Sequence, residues 1–127
     1  MKSDTYFRAS GTHTNVGTSE ETTIQLPVMP GGSYIVLLVA FHYVRTGGSA
    51  SNYQPRLGQV ASFSNGDINE RLAYSATAVA DPTNDIFAQP IPCLTDSNGR
   101  LYLRPGFDGS SDNDGNYELW FKTVRGS

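Results

Sequence analysis

A chain of 127 residues has room for one domain built around a single core. A formal charge of −3 and a pI near 5.2, with nine Lys and Arg scattered singly, leave no basic stripe, so no nucleic-acid partner is expected. The single cysteine, Cys93, excludes an intramolecular disulfide, and its setting in "QPIPCLTD" predicts a buried structural thiol rather than a nucleophile.

The chain begins "MKSDTYFRASG", which lacks the apolar h-region of a secretory signal. Residues 1–23 are rich in Thr, Ser and Gly and weakly patterned. They read as an extended N-terminal arm, with "TYFRA" as an edge strand, and residues 24–127 read as the domain proper. In "TTIQLPV", Ile24, Leu26 and Val28 alternate with polar positions, and Pro27 places the strand at an edge or ends it. "MPGGS" is a turn.

The run Tyr34–Val44 is apolar on both faces, and it is too short to cross a bilayer as a helix, so no membrane partner is expected. Its β-branched content and the flanking "PGGS" and "TGGSASN" turns predict a central strand covered on both sides. His42 near its end reads as a hydrogen-bonded structural histidine, since no second ligand lies at metal spacing. "RLGQVASF" alternates again. "SNGDINERLAY" reads either as one helical turn opened by Asp67 and Glu70 or as a strand from Arg71. "IFAQPIPCLT", with Pro82, Pro90 and Pro92 in or near it, suits an irregular edge strand. The Asn98-Gly99 pair marks a tight hairpin turn, and "NYELWFKTV" closes the chain with clean alternation.

Short strands, frequent turn residues and no long amphipathic segment define an all-β chain. The expected architecture is a single-domain, two-sheet antiparallel β-sandwich, jelly-roll-like, with about eight short strands.

The aspartates of "FDGSSDNDGNYELWFK" invite a metal or catalytic reading. With Gly115 at position six of a calcium loop, position twelve is Phe121 where a bidentate glutamate is needed, so an EF-hand does not fit. A lone loop calcium on Asp108, Asp112 and Asp114 is the alternative. Catalysis needs one carboxylate desolvated to raise its pKa, and a Gly/Ser-rich loop does not provide that. Asp, Asn and Gly here suit a polar turn between two paired final strands. No nucleophile elbow, phosphate loop, Cys-x-x-Cys or His-Glu-x-x-His is present. Accordingly no cofactor, metal, catalytic residue or enzymatic activity is expected.

The stretches "PGGSYIVLLV", "INERLAYSATAVADPTNDIFAQPIP" and "GRLYLRPGFDGSSDNDGNYELWFKTVRG" resemble small β-sandwich virion proteins of tailed bacteriophages, over about Tyr53–Arg125 and the strand before it. That resemblance implies a capsid decoration (cement) protein or a head or tail accessory subunit. Such a protein would be made in the host cytoplasm, located in the virion, and bound to the major capsid protein or other virion proteins. It also suggests a homotrimer, with the N-terminal arm reaching a neighbour. With the last two strands paired, Tyr102, Arg104, Glu118, Trp120 and Lys122 would share one outward contact face. A carbohydrate-binding jelly roll, using Trp120 and Tyr102 as a stacking platform, is the reading from another functional class.

Overall fold

In the computed structural model, which describes residues 5–123, period-two burial turns the apolar alternation into strands. Ten strands form among the described residues: β1 Tyr6–Val16, β2 Thr22–Gln25, β3 Ile35–Gly47, β4 Asn52–Tyr53 and β5 Arg56–Gly58, then β6 Glu70–Ala73, β7 Thr77–Ala78, β8 Thr83–Leu94, β9 Arg100–Arg104 and β10 Asn113–Thr123. Sheet A has the order β1-β10-β3-β8 and sheet B the order β2-β9-β5-β6; β4 and β7 make a separate two-stranded ribbon.

The pairing is nested. β1 pairs with β10, β2 with β9, β3 with β8, and β5 with β6, all antiparallel. This is the pattern of one long hairpin rolled up so that successive strands fall in opposite sheets, a jelly roll. The core lies between the sheets. Sheet A contributes Val36, Leu38, Phe41, Tyr43, Leu119 and Phe121, and sheet B contributes Ile24, Leu57, Leu101 and Leu103, all essentially without solvent exposure. Phe107, on the connection from β9 to β10, fills one end and packs against Tyr43 and Tyr53.

Several sequence expectations are corrected by this topology. The last two strands do not pair: β9 belongs to sheet B and β10 to sheet A, so the acidic segment is a crossover between sheets rather than a hairpin. The Asn98-Gly99 turn is locally tight, with Asp96 accepting from the backbone N–H of Asn98 and Arg100, yet it too links strands of different sheets. β3 is not covered on both faces. A bulge at Val39, seen where Trp120 faces Ala40 but Phe121 faces Leu38, switches the buried face from even to odd positions. Val36 and Leu38 point into the core before it, Phe41 and Tyr43 after it, and Leu37, Ala40 and His42 line the outer face.

The edge strand read at "TYFRA" is present and longer than expected: Tyr6–Val16 forms the edge of sheet A against β10, so residues 10–16, read as arm, are strand as well. Between Phe7 and His13 the inward positions of this strand are small, Ala9 and Gly11, because the neighbouring strands supply the bulk there. A Cβ at Gly11 would collide with the Tyr117 ring, and one at Gly115 with the Tyr43 ring. His13, within the stretch read from the sequence as an arm, is 2 % exposed, and its Nδ1 shares a 2.7 Å hydrogen bond with the Tyr43 hydroxyl. Cys93 is buried as expected, and burial pushes its thiol up to about 12.

Candidate interaction surface

Each strand of sheet A sends alternate side chains outward, and the register arranges them in rows. One row runs Arg8, Trp120, Ala40, Ile86 across the four strands, and the next runs Ser10, Glu118, His42, Asn84. At the β3 start, Ile35 faces Leu94. Among the described residues, eight large hydrophobic side chains are exposed, and five of them belong to this face: Tyr6, Ile35, Ile86, Leu94 and Trp120. Ile86 is 86 % exposed. Clustering of this kind on one sheet face, with an arginine and a tryptophan side by side on it, matches the composition of protein-binding hot spots.

The centre is held in place by polar contacts. Arg8 Nη2 donates to Glu118 Oε2 at 2.7 Å, Trp120 Nε1 donates to Glu118 Oε1 at 2.6 Å, and the Arg8 guanidinium sits 5.8 Å from the centroid of the Trp120 ring. Those two donors, Arg8 first, hold the Glu118 carboxyl below its usual range. Beside this trio lies an open cleft of about 320 Å³ whose polar lining includes Arg8, Ser10, Thr12, His42, Asn116 and Glu118.

The five residues expected to form one face are split between the two outer surfaces of the sandwich. Glu118, Trp120 and Lys122 lie on sheet A. Tyr102 and Arg104 lie on sheet B, facing the opposite direction. Arg104 is committed to the fold: its Nη2 meets Glu21 Oε2 at 3.1 Å, its guanidinium covers the Phe63 ring at 4.6 Å, and its side chain is 13 % exposed. The Tyr102 hydroxyl donates to Asp96. Tyr6, Arg8, Ile35 and Ile86 share the outer face of sheet A with Glu118, Trp120 and Lys122 instead. Their membership depends on pairings between strands distant in sequence, which alternation alone does not reveal.

The acidic segment is a clip. Asp108 Oδ1 accepts from the backbone N–H of Ser51 and Asn52, Asp112 from the Ser49 hydroxyl, and Asp114 from the Asn15 N–H. Asn113, fully buried, accepts from Ala50 N–H and donates to the carbonyls of Val16 and Ser110. The segment thereby ties the ends of β1 and β3 to β10. The N–H donors on Asp108 hold its carboxyl below the ordinary value. Among the described residues, no three His, Cys, Asp or Glu side chains are grouped to hold a metal ion.

No family model matches the chain, and no curated protein does. Among solved structures the chain is similar to one described as the cyanophage Pam1 capsid asymmetric unit, with a TM-score of 0.49 and 14 % identity over 95 % of this chain and 85 % of that one. A likeness at that identity and score carries no argument about what this chain does.

Proposed function

We infer that the chain is a non-catalytic structural protein of a tailed-phage virion, and that it decorates the capsid lattice by docking the outer face of sheet A on the major capsid protein. The class of partner comes from the resemblance carried by "GRLYLRPGFDGSSDNDGNYELWFKTVRG". The docking face rests on one observation, the gathering of Tyr6, Ile35, Ile86, Leu94 and Trp120 on a single sheet surface. Single exposed hydrophobics are ordinary, and it is the gathering of five on one sheet face that favours a binding surface.

Co-sedimentation with empty phage heads tests the reading. The wild-type chain should pellet with heads, and Trp120→Ala combined with Ile86→Ser should weaken binding at least tenfold without loss of fold. Full binding by the double variant would move the contact elsewhere; no binding by the wild type would remove the decoration role.

The cleft lined by Arg8, Ser10, His42 and Asn116 favours a second reading, a carbohydrate site in which those polar groups meet hydroxyls and Trp120, on the neighbouring row outside the cleft, stacks on a sugar face. A glycan array decides it: saturable sugar binding lost in Trp120→Ala would favour this reading.

A further inference from the structure

We propose that β1 is a self-association edge, and that two copies join their sheets A antiparallel about a two-fold axis passing at Ala9. The hydrogen-bond phase of β1 shows why. The N–H of Thr123 donates to the carbonyl of Thr5, which makes Thr5, Phe7, Ala9, Gly11 and His13 the residues that exchange bonds with β10. The backbone groups of Tyr6, Arg8, Ser10 and Thr12 therefore point away from the sheet. β10 is the strand that pairs with β1 among the described residues, so this row is open.

Proteins usually protect such a row. The opposite edge of sheet A is protected: β8 carries Pro90 and Pro92, Phe87–Pro90 leaves the ladder between Ile86 and Ile91, and Gln59 closes the Leu94 N–H. The edges of sheet B, β2 and β6, are four residues each. β1 runs regularly from Tyr6 to His13 without proline, lysine or bulge, and its irregularity begins only between His13 and Val16.

The open row is self-complementary. With the axis at Ala9, Tyr6 faces the second copy's Thr12 and Arg8 faces its Ser10, so all four residues of each copy exchange bonds, up to about eight in total. Ala9 meets its own copy at a close, non-hydrogen-bonded pair that a small side chain permits. Moving the axis to residue 8 would set arginine against arginine, and moving it to residue 10 would require pairing into the bulge. In the favoured register each Arg8 looks across a small serine towards the second copy's Glu118, about 10 Å away on the next strand. A guanidinium has donors enough to hold both carboxylates. The outer faces of the two sheets then run on as one surface. A trimer, by contrast, needs a head-to-tail contact between two different edges, and β8 is poorly suited to be the second one.

This inference stands apart from the virion reading, since it concerns the isolated chain. Size exclusion with light scattering, from one to several hundred micromolar, should give twice the 13.8 kDa chain mass at the upper end. Ser10→Pro removes an outward donor and no bond to β10, so it should raise the dimer dissociation constant at least tenfold while the melting temperature of the fold stays in place. Ser10→Lys, which sets a lysine opposite Arg8, serves as a second variant should proline perturb the strand. A monomer throughout the range, a trimer mass, or dimers of both variants as tight as the wild type would each overturn the proposal.

Discussion

Acidification from pH 7 to pH 5 should weaken the fold through His13. This ring is buried between Tyr43 and Tyr117, with centroids 5.6 and 5.0 Å away, and its Nε2 meets no hydrogen-bond partner. A charge there is poorly compensated, and burial lowers the imidazole from 6.5 to about 4. The folded state therefore binds fewer protons than the unfolded chain between those two values. Stability is fully present above pH 6.5 and falls as pH falls towards 4, by roughly 3 kcal/mol at the limit and roughly 2 kcal/mol by pH 5. For a domain of this size the latter is a drop on the order of 8 °C in melting temperature. Asp67, Asp96, Asp108 and Glu118, all held below their ordinary values in the fold, add their own loss of stability only below about pH 5, where the unfolded chain begins to protonate them. Urea unfolding at pH 7, 6 and 5, at constant ionic strength, measures the slope, and His13→Gln should flatten it. Equal slopes in wild type and His13→Gln would refute the reasoning.

Gly115→Ala should destabilise the fold by about 1–3 kcal/mol in urea unfolding, because its Cβ would enter the Tyr43 ring. Asn113→Ala should cost a similar amount, about 2–4 kcal/mol, by stranding the Ala50 N–H and the Val16 carbonyl, and hydrogen exchange at Ala50 should speed up. Trp120→Ala should lower stability by no more than about 1 kcal/mol, since the ring is 38 % exposed; a loss of about 3–5 kcal/mol would make it a core residue instead. Melting curves in excess calcium and in chelator should superimpose, because Asp108, Asp112 and Asp114 each accept from separate loop donors.

Alternation identified strands wherever one face meets the core with large side chains, as in Ile24 and Leu26, Leu101 and Leu103, Leu119 and Phe121. It failed where the bulk comes from a neighbour. The start of β1 was legible as the edge strand "TYFRA", with Phe7 and Ala9 inward, but beyond it the strand offers the core only Gly11 and His13, a pattern that reads as polar until Tyr43 and Tyr117 are seen leaning over it. The two histidines exchanged places for the same reason: His13 belongs to this concealed strand, and the Val39 bulge turns His42 outward. Strand identity was thus legible, and partnership was not. In a rolled hairpin, neighbours along the chain lie in different sheets, so the Asn98-Gly99 and acidic turns gave correct local geometry and the wrong partner. The set expected to share one outward face inherited that error: Glu118, Trp120 and Lys122 do share one, and Tyr102 and Arg104 lie on the other sheet.

The pairing of Tyr6 with Lys122 has a consequence for how the molecule is made. β1 is synthesised before the rest of the sandwich and must wait for β10, so sheet A cannot be completed while β10 remains inside the ribosome. The interior pairs β5–β6 and β3–β8 can form earlier, leaving the flank of β3 that receives β10 bare in the meantime. Contacts that span so much of the chain also place folding towards the millisecond-to-second end of the range for small domains. Closure of the roll is therefore a late event, and the interval before it is when the nascent chain is most exposed to mispairing with its own copies.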